Sequence, residues 1–149
     1  MDQFATLVRA FAQEAGLAVD WEPVSPIEFT IDDLPVVISL DRRTGMDDIV
    51  IYSRLGTVPE ARELEVYRIL LEANVMWSAT GDATLAVNSA TREALLCYRY
   101  PMKDLAGPAF VSLVAAFVEL AENWRDVIAA AEDEIAAPAG GIPLTAIRG

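Results

Sequence analysis

The segment between Thr57 and Trp77 contains more apolar side chains than a single covering layer can bury. Its start, Thr57-Val58-Pro59-Glu60, has the spacing of a capping box and predicts a helix. One stripe of this helix consists of Leu64, Tyr67, Leu71 and Val75. Much of the rest of the helix surface is also apolar, with Val66, Ile69, Leu70, Ala73, Met76 and Trp77. Because a helix that is apolar on several sides must be covered on several sides, we expect a second cover, which is either the last helix of the same chain or another subunit.

The remaining segments predict an α+β domain, in which an antiparallel β-sheet packs with three helices in the order α-β-β-β-α-β-β-α. Apolar residues recur at helical spacing in residues 2–15, where Gly16 is the expected stop, and in residues 105–131. Alternating or β-branched runs predict five strands. These strands cover residues 27–31, 36–40, 49–52, 84–87 and 94–100. Because the links between consecutive strands are short, we expect antiparallel pairing.

The chain is acidic and apolar at the same time, with 149 residues, a net charge of −12 and 54% hydrophobic residues. A disordered chain of this charge would have low hydrophobicity, so the apolar fraction indicates a folded protein. We expect a single domain over residues 1–131 and a flexible tail, rich in Pro, Gly and Ala, over residues 132–149. Negative surfaces repel phosphate backbones and anionic membranes, so we expect neither nucleic acid binding nor membrane insertion.

The residue types needed for most catalytic sites are absent, since the chain has no histidine and a single cysteine, Cys97. This excludes imidazole-based catalysis, imidazole metal ligands and multi-cysteine zinc sites. The acidic pairs Asp32-Asp33 and Asp47-Asp48 lie where turns favour aspartate, and no phosphate-binding loop occurs. The sequence therefore predicts no enzyme activity, no cofactor and no metal, and instead favours binding through apolar surface or a sheet edge.

Four short motifs follow one another in the second half of the chain. They are Leu70-Leu71-Glu72-Ala73-Asn74, Gly81 followed by Thr84-Leu85-Ala86-Val87, Tyr100-Pro101-Met102 followed by Leu105, and residues 117–124 with the pattern F-V-x-x-A-x-x-W. With these motifs in this order, the chain resembles the class I type III secretion chaperones of the Tir-chaperone (CesT-like) family over about residues 2–131.

The resemblance implies a homodimer, whose two-fold interface is built from the second helix and the strand after it. The candidate interface residues are Leu64, Tyr67, Leu71, Val75, Leu85 and Val87. The resemblance also implies that the N-terminal segment of a secreted effector binds in extended form, which keeps that effector soluble and competent for secretion. The candidate effector-binding residues are Phe4, Leu7, Phe11, Ile27, Phe29, Ile31, Val36 and Ile38. For Phe4, Leu7 and Phe11, the same helical spacing is also typical of core packing.

A chaperone of this kind is expected in the bacterial cytoplasm, in agreement with the single cysteine. The resemblance leaves open whether a secretion ATPase is a further partner, and the sequence leaves open which strand face is exposed. The alternative function is a regulatory or sensory interaction module of the same fold, which resembles the YbjN-like proteins and has no secreted client. Both functions share the same core pattern, so composition does not separate them.

Overall fold

Three helices and one five-stranded sheet make up the described part of the chain. The computed structural model describes residues 2–20, 22–43 and 45–136. The helices are Gln3–Glu14 (α1), Glu63–Ala73 (α2) and Gly107–Ala136 (α3). The strands are Ile27–Ile31 (β1), Leu34–Asp41 (β2), Asp48–Thr57 (β3), Thr84–Asn88 (β4) and Glu93–Pro101 (β5). The antiparallel sheet has the order β1-β2-β3-β5-β4, and the predicted α+β class and element order are confirmed.

Both ends of α1 follow local sequence signals. The Asp2 side chain caps the first turn, because it accepts a hydrogen bond from the backbone N–H of Phe4 at 3.2 Å. Gly16, the predicted stop, has a φ of 70°, which is a left-handed conformation that glycine adopts without strain. Leu17 then donates its N–H to the carbonyl of Ala12 at 2.8 Å, which completes a Schellman-type end.

The link between β1 and β2 is a two-residue turn made of Asp32 and Asp33, as the sequence predicts. Ile31 pairs with Leu34 directly beside the turn. The φ angles of Asp32 and Asp33 are 50° and 64°, so both central residues have the positive φ that a type I′ hairpin turn requires. Aspartate tolerates this conformation better than most residues, although glycine is preferred there.

Replacing Asp33 with glycine is expected to stabilise the protein. Glycine carries no Cβ penalty at positive φ, and this gain exceeds the larger conformational entropy of glycine in the unfolded chain. We expect an increase of about 0.5 kcal/mol in the free energy of unfolding, measured by urea denaturation. The same replacement at Thr30, inside β1, is expected to lower stability, since glycine weakens a strand. A loss of stability in Asp33→Gly would contradict the assigned turn.

The predicted helix start at Thr57 is wrong. Thr57 is the last residue of β3, and α2 begins only after a 3-10 turn over Glu60–Arg62. Neither this turn nor α2 has a side-chain cap at its start. The strand is longer than predicted because Ser53 and Leu55 continue the buried alternation of β3. After Ala73 the chain forms a second 3-10 turn, Val75–Trp77, instead of continuing α2.

The chain divides into two compact units. The first comprises Met1–Tyr52 and Tyr98–Val118, and the second comprises Ser53–Cys97 and Glu119–Gly149. The single domain expected over residues 1–131 stays a prediction. Of the expected tail, residues 132–136 belong to α3, and residues 137–149 lie outside the described part of the chain.

Each unit has its own apolar core. In the first unit, α1 buries Phe4, Leu7 and Val8, and the first half of α3 buries Phe110 and Val114. In the second unit, the Trp124 indole is buried and donates its Nε1–H to the carbonyl of Ala79 at 3.0 Å. None of the helices within residues 2–20, 22–43 and 45–136 combines the length and hydropathy needed to cross a membrane.

A cluster of charged side chains ties three strands of the first unit together. Arg99 of β5 donates to Asp41 of β2 at 2.6 Å and to Asp48 of β3 at 2.9 Å. Arg43 makes a bidentate contact with the same Asp41 carboxylate, in which its Nε donates to Oδ1 at 3.0 Å and its Nη2 donates to Oδ2 at 2.8 Å. Both aspartates are buried, so each carboxylate needs these guanidinium partners. The hydrogen bonds from Arg43 and then Arg99 hold the pKa of Asp41 well below its usual value.

The Asp41 cluster is expected to make stability fall at acid pH. Because the pKa of Asp41 is lowered from 3.8 in the folded chain, the unfolded chain takes up the proton first. Its contribution is therefore complete above 3.8 and is lost as the pH falls toward the folded-state pKa. We expect the urea midpoint of the wild type to drop more steeply below about pH 4 than that of Asp41→Asn. Parallel curves for the two proteins would contradict this contribution.

Candidate functional site

The predicted effector-binding residues lie mostly in the core of the first unit. Six of the eight are buried, while Phe29 and Ile31 are half-buried. The buried residues are Phe4, Leu7, Phe11, Ile27, Val36 and Ile38. The apolar face of α1 is therefore packed into the core of its own chain, which is the second interpretation of its helical spacing. Contact of any of the eight with an effector stays a prediction, and only Phe29 and Ile31 offer it an accessible apolar surface.

The edge strand β1 presents backbone groups that can bind an extended peptide. Because Ile31 and Leu34 flank a two-residue turn, they form a hydrogen-bonded pair, and pairs alternate along an antiparallel ladder. Thr30 therefore belongs to a pair without backbone hydrogen bonds, and its N–H and C=O face away from β2. The partner opposite Thr30 is Pro35, which has no N–H to offer. β1 is also the first strand in the sheet order, so Thr30 faces an open edge.

Aromatic side chains lie beside this edge. The Phe29 ring of β1 meets the Phe11 ring of α1 edge-to-face, with centroids 5.4 Å apart and planes inclined by 70°. An extended segment added to β1 would place alternate side chains on the same face as Phe29 and Ile31. The edge thus combines main-chain hydrogen bonding with a small apolar surface, which is the arrangement used in β-augmentation.

The second unit exposes an apolar surface on and after α2. Its buried side consists of Val66, Ile69, Leu70 and Ala73. The opposite side is large, hydrophobic and exposed. We call it the α2 apolar face, and it consists of Leu64, Leu71, Val75, Met76 and Trp77, with exposed fractions of 75%, 69%, 61%, 80% and 52%. Large hydrophobic side chains left exposed in one short stretch of chain are a marker of a protein–protein interface.

Met76 and Trp77 were not among the predicted interface residues. A regular helix would place them on other sides of α2. In the structure they have φ values of 51° and 54°, so the chain leaves the helix and turns both side chains into solvent. Two consecutive left-handed residues without glycine are unusual, and no local sequence signal indicates them.

The predicted interface residues differ in accessibility. Leu64, Leu71 and Val75 are exposed, Tyr67 and Val87 are half-buried, and Leu85 is buried. The Tyr67 hydroxyl is occupied locally, since a hydrogen bond with Glu63 raises the pKa of Tyr67. The structure thus brings three of the six predicted residues together on the α2 apolar face. Their contact with a second copy of the chain stays a prediction.

The groups with chemical reactivity are few. Burial raises the pKa of the Cys97 thiol, which keeps the thiol protonated and a weak nucleophile at neutral pH. Among residues 2–20, 22–43 and 45–136, no three acidic or cysteine side chains are grouped in a way that could hold a metal ion. The aromatic pair on β5, Tyr98 and Tyr100, stacks with ring centroids 6.3 Å apart.

Among the solved structures that share the fold of this chain, three illustrate the likeness at low sequence identity. A chain in the crystal structure of the ExsC–ExsE complex superposes with a TM-score of 0.65 at 18% identity, covering 86% of this chain and 97% of that one. A chain of the heterodimeric ExoU–SpcU complex from the type III secretion system of Pseudomonas aeruginosa gives 0.60 at 17% identity, with 83% and 94% covered. The ExoT–SpcS complex from Pseudomonas aeruginosa gives 0.59 at 14% identity, with 80% and 95% covered.

Sequence comparison assigns the family. No curated protein sequence matches the chain. The model of the Tir chaperone protein (CesT) family, however, matches residues 6–125, which include most of α1, all five strands, α2 and most of α3. This match covers the motifs around Leu70 and Phe117 that indicate the resemblance. The chain therefore belongs to the Tir chaperone protein (CesT) family.

Proposed function

We propose that this protein is a type III secretion chaperone, which holds the N-terminal segment of a secreted effector in extended form. The observation that carries the proposal is the family match over residues 6–125. The likeness to chains of the ExoU–SpcU and ExoT–SpcS complexes supports the same fold. Holding a client requires apolar surface and backbone hydrogen bonds rather than reactive groups, so we propose a binding protein of the bacterial cytoplasm that is not an enzyme.

The working unit that we propose is a homodimer formed through the α2 apolar face. A single chain leaves Leu64, Leu71 and Met76 in solvent, which is unfavourable for large hydrophobic side chains. In an isologous dimer both subunits use the same surface, so each of these residues is buried on both subunits, each time by the partner. This arrangement would supply the second cover that the α2 sequence predicts, since Leu64 and Leu71 are exposed in the single chain.

The binding edge that we propose for the effector is β1. An extended segment lying beside Thr30 would gain main-chain hydrogen bonds, and its alternate side chains would reach Phe29 and Ile31. Such binding depends on backbone more than on side-chain identity, which suits a client segment that has no folded structure. The net charge of −12 keeps an assembly with this much apolar surface in solution.

The alternative function, a regulatory or sensory module, differs from a chaperone in the partner that it would bind. A module resembling the YbjN-like proteins would act alone or with a stably folded partner, and no secreted client would copurify. The family match favours the chaperone.

Purification of the tagged protein from its native host, followed by mass spectrometry and light scattering, tests the proposal. We expect two chaperone chains with one effector, and limited proteolysis should leave only the N-terminal region of that effector protected. A secretion ATPase, if it binds, would be identified in the same eluate. Recovery of the protein alone, or with a partner that is folded throughout, would contradict the chaperone function.

A further inference from the structure

Asn74, at the end of α2, reaches the edge strand β4 with its side chain. Its Nδ2 donates to the carbonyl of Leu85 at 3.0 Å, and its Oδ1 accepts from the N–H of Leu85 at 2.9 Å. β4 is the last strand in the sheet order, and Leu85 lies opposite Leu96 of β5. Since Leu85 uses both backbone groups for Asn74, these groups face away from β5, at the place where a further strand would pair.

The side chain of asparagine is chemically suited to this position. A carboxamide has one carbonyl acceptor and an N–H donor, the same groups that a peptide unit offers to a neighbouring strand. At Leu85 the carboxamide therefore makes the same two hydrogen bonds to the backbone as an added strand would. Unlike a strand, it presents no further backbone N–H and C=O groups with which another strand could pair. The Leu85 side chain remains buried in the core beneath.

Backbone hydrogen bonds on both sides of Asn74 hold this residue in place. Its backbone N–H donates to the carbonyl of Leu70 at 3.3 Å, and its own carbonyl accepts from Trp77 N–H at 3.1 Å. The left-handed residues Met76 and Trp77 turn the chain immediately afterwards. Because the backbone and side-chain groups of Asn74 are all engaged, the carboxamide is held against β4.

We propose that Asn74 is a plug that closes the β4 edge of the sheet against strand addition. With the plug in place, β4 pairs with β5 alone, and the surface formed by β4 and the α2 apolar face associates through side chains. Without it, Leu85 offers a donor and an acceptor on a short strand whose Ala86 is exposed, which is a template for pairing with another chain. The plug leaves β1 as the edge available for an extended client, a consequence that rests on the proposed function.

The test compares Asn74→Ala with the wild type in two measurements. Hydrogen exchange of the Leu85 amide is expected to accelerate about tenfold or more in the variant, since the protecting acceptor is gone. Light scattering over a concentration series is expected to show assemblies larger than the wild type, because open β4 edges pair. The matched control is Asn88→Ala. It also removes a hydrogen bond from asparagine to backbone, to the N–H of Ala90 at 3.0 Å, but Asn88 is the last residue of β4 and its side chain bonds into the following turn.

A rescue variant tests whether Asn74 blocks strand addition at β4 or only holds the end of α2 against β4. Adding Ala86→Lys to Asn74→Ala places like charges against each other when two β4 strands pair, so the wild-type mass is expected to return. If Asn74→Ala folds poorly, Asn74→Asp serves instead for light scattering, since a carboxylate cannot donate to the Leu85 carbonyl and leaves that acceptor open. The Leu85 amide keeps its acceptor in this variant, so faster exchange is expected only in Asn74→Ala. An unchanged mass in the plug variants, or larger assemblies that the lysine does not reverse, would overturn the proposal. Because each mass is compared with the wild type, the result does not depend on whether the wild type is a chaperone or a dimer.

Discussion

Replacing Leu71 with aspartate is expected to convert the proposed dimer into a folded monomer of 16.2 kDa. In the single chain the Leu71 side chain is 69% exposed, so a carboxylate at this position costs the monomer little. In an isologous dimer the change occurs twice, so apolar burial is lost twice and two carboxylates are brought out of water. A loss of about 4 kcal/mol would weaken the dimer about a thousandfold. Light scattering measures the mass, and circular dichroism checks the fold.

The matched control for this prediction is Val24→Asp. Val24 is 68% exposed, close to the value for Leu71, but it lies in the first unit and outside the α2 apolar face. We expect this variant to keep the mass of the wild type. A dimeric Leu71→Asp, or equal dissociation of both variants, would show that the α2 apolar face is not the dimer interface.

Local signals predicted most of the fold because they act within a few residues. Alternation from Ile27 to Ile31 identified β1, and Gly16 identified the end of α1. The error at Thr57 arose where a local signal competed with a distant one. Thr57 and Glu60 match a capping box, but β3 extends through Thr57, and its pairing with distant strands cannot be read from four residues.

The candidate site was less predictable, because periodicity identifies an apolar face and not what covers it. Phe11 and Leu71 both belong to regular apolar stripes, yet Phe11 is buried by its own chain and Leu71 is exposed. Only the position of each helix in the fold decides between these outcomes. The exposure of Met76 depends on its left-handed backbone, and the role of Asn74 depends on the approach of β4, which neither residue type nor spacing reveals.

The burial of α1 changes how effector binding should be tested. Phe4 and Phe11 are among the eight predicted contact residues, but both side chains are at most 5% exposed. An aspartate at either position would bury a carboxylate in the core and unfold the first unit, so the loss of binding would carry no information about contact. A substitution at an exposed residue of β1 avoids this difficulty.

Thr30→Pro is expected to weaken capture of the effector strongly while leaving the fold intact. Thr30 is exposed and its N–H faces away from β2, so proline removes no hydrogen bond of the hairpin. An incoming strand, however, loses a donor and meets the pyrrolidine ring. We expect binding of the client's N-terminal peptide to weaken about a hundredfold, measured by calorimetry. Thr30→Val keeps the N–H and should bind normally, whereas wild-type affinity in a folded Thr30→Pro would exclude strand addition at β1.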